Sequence, residues 1–145
     1  MPNLVLKSSA FRNNESIPPK FTCDGDNTNP LLEIRNIPEG TKSLALIVDD
    51  PDATQGVPWD HWLLWNIDTK TQYISEDALP FGAKQGLSSF GHVKYGGPCP
   101  LKGSAPHRYV FKLRALDVVL DLAEGASKKE LLNAMAGHVL EETVL

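Results

Sequence analysis

Cysteine is scarce in this chain: Cys23 and Cys99 are its only 2 thiols in 145 residues. Two cysteines are too few for a disulfide scaffold and too far apart in sequence for a metal knuckle. Both fall in turn-like segments, Thr22-Cys23-Asp24-Gly25 and Pro98-Cys99-Pro100. Two readings stay open for them, buried thiols and redox-sensitive thiols acting within or between subunits. Positive charge is also in short supply. With 14 Lys and Arg against 18 Asp and Glu, the formal charge is -4, which removes the usual drive toward nucleic acid or an anionic membrane. No apolar run approaches the roughly 18 residues of a membrane-spanning helix. The opening Met1-Pro2-Asn3-Leu4-Val5-Leu6-Lys7 lacks the charged-then-apolar layout of a signal peptide. The expected location is the cytoplasm, with neither nucleic acid nor integral membrane association. Repeats, low-complexity tracts and linkers are absent too, and the length suffices for a real core, so a single domain over residues 1–145 is expected.

What the sequence does contain is a series of short apolar runs bounded by Gly, Pro, Asn and Asp, the pattern of a mainly β protein. Strands are predicted over residues 4–7, 31–34, 43–48, 61–67 and 108–116. The run Ser43-Leu44-Ala45-Leu46-Ile47-Val48 is apolar at both parities, as a central strand covered on both faces should be. Counting by twos places His107, Tyr109, Phe111, Leu113 and Ala115 on one face, and His61 with Leu63, Trp65 and Ile67. Trp62 and Trp65 then lie on opposite faces and cannot form one stacking platform. One helix is predicted near the C-terminus, opened by the capping box Ser127-Lys128-Lys129-Glu130 and continued by Leu131, Met135 and Val139. His138 would sit in its last turn, where an imidazole favours the helix dipole. Residues 69–106, rich in Gly and Pro, show no sustained periodicity; so long an irregular stretch is usually functional.

Chemistry concentrates where strands leave loops. Asp49-Asp50-Pro51-Asp52 ends one strand, Trp59-Asp60-His61-Trp62 begins another, and Gly96-Gly97-Pro98 and His107-Arg108-Tyr109 flank a third loop. Asp-Pro-Asp alone reads as a turn. Adjacent carboxylates, however, require one to be solvated and the other to find a donor, for which His61 is a candidate. An imidazole beside a carboxylate has its pKa raised, and the protonated ring would hold phosphate, sulfate or a carboxylate. Gly96 and Gly97 would bring backbone N–H groups to the same anion, with Tyr109 as a further donor.

Other chemistries fit less well. A metal-dependent or acid/base hydrolase could draw on Asp50, His61 and His107, but no metal-motif spacing is present. No Gly-x-Ser-x-Gly elbow exists, and Cys99 between two prolines has no evident base. Asp24-Gly25-Asp26-Asn27-Thr28-Asn29 fails as a calcium loop, because Asn29 stands where glycine is needed and Arg35 where the bidentate glutamate is needed. No metal and no cofactor are expected.

The segments Asp50-Pro51-Asp52-Ala53, Trp59-Asp60-His61-Trp62, Tyr95-Gly96-Gly97-Pro98-Cys99-Pro100 and Gly103 through His107-Arg108-Tyr109 occur in an order that resembles the phosphatidylethanolamine-binding protein family, also called the Raf kinase inhibitor protein family. Phe21-Thr22-Cys23-Asp24-Gly25 and Ala134-Met135-Ala136-Gly137-His138-Val139-Leu140 resemble its bacterial and archaeal branch. The resemblance implies a large antiparallel sheet packed on a smaller one, with Greek-key connections and a few peripheral helices. It also implies a pocket for phosphate or a phosphoethanolamine-like group at Asp50, His61, Gly97, Pro98, His107 and Tyr109, without enzymatic activity. A regulatory or inhibitory role toward a kinase or protease follows by the same route. The family pattern differs here in Ala53-Thr54, where a proline commonly follows the alanine, and in Leu31-Leu32-Glu33-Ile34, which lacks an aromatic. It also runs on past the helix into a further Gly-x-Tyr-x-Arg strand, so an open edge is expected near Leu145, to be covered by a second copy of the chain in a homodimer.

Overall fold

A computed structural model of the chain describes residues 3–11, 17–22, 25–51, 59–97 and 109–145. Its strands, in chain order, are Val5–Lys7 (β1), Leu32–Arg35 (β2), Ser43–Asp50 (β3), Trp59–Ile67 (β4), Tyr73–Ile74 (β5), Lys84–Gln85 (β6), Val110–Leu116 (β7) and Val139–Val144 (β8), with helix Lys128–Met135 (α1) before the last. The fold is mainly β, built from a smaller sheet of order β1-β2-β5 and a larger one of order β6-β4-β3-β7-β8. Among the described residues every pairing is antiparallel.

The central position of β3 follows from its composition. All of its residues are buried, and alternation sends them to two different layers. Leu44, Leu46 and Val48 join Leu32 and Ile34 of the smaller sheet, with Phe111 and Leu113 of β7, in the core between the sheets. Ala45 and Ile47 point the other way and pack with Leu63, Trp65, Leu131 and Met135 under α1. Trp62 and Trp65 do lie on opposite faces, one in each core. In β7, Phe111, Leu113 and Ala115 are buried while Lys112 and Arg114 are half-exposed, as the parity count requires. Residue Asn66, at φ 57, breaks the alternation of β4 and bonds through its carboxamide to the N–H and C=O of Leu120 (2.8 and 2.9 Å). That break sends Ile67 into the inter-sheet core, away from Leu63 and Trp65.

Helix α1 opens as expected. The Ser127 hydroxyl accepts from the Glu130 N–H at 3.2 Å and the Glu130 carboxylate accepts from the Ser127 N–H at 3.2 Å. It ends earlier than the four-residue spacing implied: Ala136 already leaves the helical region at ψ 126, and Gly137 at φ +81 completes a turn closed by the His138 N–H donating to the Met135 carbonyl at 2.9 Å. Val139 therefore begins β8, and His138 stands outside the helix, its Nδ1 2.8 Å from Asp117 Oδ1. A strand does follow the helix, and as the outer strand of the larger sheet among the described residues it carries the open edge expected near Leu145. β8 pairs with β7, and Leu145 exchanges backbone hydrogen bonds with Phe111 at 2.9 and 3.1 Å. Strands β5 and β6 lie inside the stretch that showed no periodicity. No helix of the described residues is long and apolar enough to cross a membrane.

Candidate functional site

The register of the two central strands aims the key imidazole. Val48 pairs with Trp62 and the next pair is Asp49 with Asp60, so His61 is the extra residue of a β-bulge. Such an insertion bends the strand and redirects a side chain. The His61 ring accordingly meets Tyr109 (centroids 5.2 Å) and Phe90 (5.4 Å), both edge-on, whereas Leu63 and Trp65 pack under the helix. Counting by twos fails across the bulge.

His61 is only 3% exposed, and its Nδ1 lies 2.6 Å from the Gly96 carbonyl oxygen. A carbonyl only accepts, so Nδ1 carries the hydrogen and Nε2 is the nitrogen left to exchange a proton. Burial pushes the His61 pKa below its ordinary 6.5, outweighing the Gly96 carbonyl and the carboxylate of Asp50, which act in the opposite direction. The expected elevation is thus reversed: without a bound anion the ring is neutral at pH 7. Asp50 is buried, and its charge reaches Tyr109 as well. Burial first, and Asp50 second, push the Tyr109 phenol up to about 12, so it remains a hydroxyl donor.

The glycines serve a different purpose from the one expected. The Gly96 N–H donates to the His61 carbonyl at 2.9 Å, and the Gly97 N–H donates to Asn27 Oδ1 at 2.8 Å. Both amides are therefore committed within the protein and do not face an anion. Close packing explains the residue type. A Cβ at Gly96 would lie 2.5 Å from the Phe90 ring, and one at Gly97 would lie 2.0 Å from the Phe21 carbonyl oxygen. That same Phe21 carbonyl accepts from the Tyr95 hydroxyl at 2.8 Å, and burial pushes the Tyr95 phenol up further than that of Tyr109. The Tyr95-Gly96-Gly97 segment is thereby stitched to β4 on one side and to Phe21 and Asn27 on the other.

Behind this cluster lies an ionic network that sequence reasoning missed. Asp49 and Asp60 face each other across β3 and β4, and Lys128 of α1 bridges them, with Nζ 3.0 Å from Asp49 Oδ2 and 2.9 Å from Asp60 Oδ1. Lys112 Nζ adds a longer contact to Asp49 at 3.4 Å. Neither Asp49 nor Asp50 is solvated, so the expectation that one of the two would be is corrected. Asp49 finds lysines on the helix side, while Asp50 acts on His61 and Tyr109. The structure thus brings together Asp50, His61, Gly97 and Tyr109. Pro98, His107, Cys23 and Cys99 lie outside the described residues. Asn27 and Phe90, which shape the cluster, gave no signal in the sequence because their contacts cross many intervening residues. Among the described residues, a cleft of about 410 Å³ adjoins the cluster and is lined by Asn27, Trp62, Asp77, Lys94 and Tyr95, and another of about 190 Å³ lies away from it, lined by Asn66, Phe81 and Val119.

Comparison with known proteins defines the class. A family model described as phosphatidylethanolamine-binding protein matches residues 7–145, and the chain belongs to that family. It is 48% identical to a UPF0098 protein of Methanothermobacter thermautotrophicus, over 97% of this chain and 94% of the relative. A UPF0098 protein of Pyrococcus horikoshii is 46% identical over 92% of this chain and 70% of its own length. Among solved structures, a chlamydial protein described as a phosphatidylethanolamine-binding protein homologue superposes with a TM-score of 0.92 at 39% identity, over 99% of this chain and 94% of that one. Escherichia coli YbcL, described as a new member of the mammalian family, gives 0.92 at 32% identity, over 99% of this chain and 96% of its own.

Proposed function

We propose that the protein is a non-enzymatic, cytoplasmic binding module that takes a small phosphate-bearing anion at the His61 end of the larger sheet. Through that ligand it would regulate or inhibit a protein partner such as a kinase or protease. The observation that carries the reading is the fixed tautomer of His61, with Nδ1–H held by the Gly96 carbonyl and the ring set edge-on to Tyr109. A neutral Nε2 and the Asp50 carboxylate accept hydrogen bonds, while Tyr109 donates one. This mixed set matches a phosphate that still carries a proton, or a phosphoethanolamine-like group whose ammonium meets Asp50. The name of the family, phosphatidylethanolamine-binding protein, points to the same ligand class. Where the anion arrives fully ionised, His61 would instead take up a proton on binding and donate, since an anion beside the ring offsets part of what burial imposes.

Side-chain NMR titration tests the reading. In millimolar inorganic phosphate or phosphoethanolamine the signals of His61 and His107 are expected to shift, and the His61 pKa to rise. If both rings titrate unchanged, the ligand reading is wrong. The non-enzymatic part has its own test, an elemental analysis together with a phosphatase and esterase panel. Stoichiometric metal, or turnover abolished by His107→Ala, would overturn it.

A further inference from the structure

We infer that Lys128 is a positioning residue for this site: the helix lysine holds Asp49 and Asp60 together across the bulge and thereby sets the orientation and electrostatic surroundings of His61. The inference rests on reading the His61 cluster as the ligand site. Its physical basis is a conflict between like charges. Asp49 and Asp60 are register partners, each adjacent in sequence to a residue of the site, Asp50 and His61. Like charges directly opposite on neighbouring strands are destabilising, and here both carboxylates are largely shielded from water, with 2% and 15% of their side chains exposed. Lys112 reaches only Asp49, at 3.4 Å, whereas Lys128 lies within 3.0 Å of both carboxylates. Burial works against the Lys128 charge, but its contacts with the Asp60 and Asp49 carboxylates outweigh this and hold the ammonium above the usual lysine value.

The groups that act on His61 are the Gly96 and Gly97 backbone and the charges of Asp50 and, less strongly, Asp49 from β3, with the rings of Tyr109 at the entry to β7 and Phe90 packed edge-on against it. Removing the Lys128 charge therefore leaves Asp49 and Asp60 under-compensated and makes a proton on His61 more favourable.

The test is His61 NMR titration of the ligand-free full chain in Lys128→Met and Lys128→Arg. Lys128→Met is expected to raise the His61 pKa by about half a unit to one unit, the scale of one partly screened charge. Lys128→Arg is expected to restore the wild-type titration. A folded Lys128→Met protein in which His61 titrates as in the wild type overturns the inference. If Lys128→Met does not fold, Lys128→Gln keeps a donor over the carboxylates and removes only the charge; the same displacement is expected, and its absence is equally decisive. Because this readout needs no anion, it is separate from the phosphate titration of the wild type, which tests the ligand reading itself.

Discussion

His61 is subject to two opposing influences: a hydrogen bond and nearby carboxylates that favour its charged form, and burial that disfavours it more strongly. The consequence for stability has a definite sign. With the folded pKa below the ordinary 6.5, the unfolded chain binds more protons between the two values, so stability rises with pH across that window. The His61 contribution is complete above about pH 6.5 and is lost as pH falls through the folded value. Urea unfolding at pH 7.5 and 5.5 is expected to show a lower midpoint at the acid end, with a smaller drop in His61→Gln; an unchanged drop would count against the assignment. At this scale the sequence was informative about residue type and less so about role. Asp50, His61, Gly97 and Tyr109 converge as expected. The carboxylate beside His61 suggested a raised pKa, however, because the extent of burial depends on Phe90 and Tyr109 arriving from distant segments. Gly97 looked like an anion-binding amide, yet its N–H is taken by Asn27, 70 residues away in the chain.

Among the secondary-structure elements, those governed by local pattern were legible and those governed by pairing were not. The doubly apolar run of β3 and the capping box of α1 contain their own instructions. Two-residue strands such as β5 and β6 exist only because β2 and β4 offer them partners. The bulge at His61 likewise arises from a pairing shift that no single strand reveals. Helix α1 separates two effects that could otherwise be confused. Ser127 caps it through reciprocal bonds with Glu130, while Lys128, the next residue, extends to the carboxylates behind the site. Ser127→Ala should lower unfolding stability by about 1 kcal/mol, as loss of an N-cap does, and leave the His61 titration in place. Denaturant unfolding and His61 NMR on that variant check both halves. A displaced His61 in Ser127→Ala would mean that helix stability, and not the lysine charge, governs the site.

In the molecule as a whole, the site depends on the complete sandwich. Its parts come from the end of β3, the start of β4, the Gly96–Gly97 segment and the entry to β7, which are brought together only when the larger sheet is assembled. A ligand that needs this arrangement binds the folded chain and not the unfolded one, so it must add to stability by mass action. At phosphate ten times its Kd the gain is about 1.4 kcal/mol, or roughly 3–5 °C in Tm for a domain of this size. Phosphate also strengthens burial generally through exclusion from protein surfaces, so the increment alone is not diagnostic. The specific part is the difference between the wild type and His61→Gln in the same phosphate series, referenced to sodium chloride at equal ionic strength. The wild type should gain Tm along a saturating curve, and His61→Gln should retain only the shallow, non-saturating component. Identical curves would place any phosphate effect outside this cluster. On the proposed reading the neutral ring takes up a proton when a fully ionised anion binds, so the specific increment should also be larger at pH 6 than at pH 8. A general salt effect has no reason to follow that pH dependence.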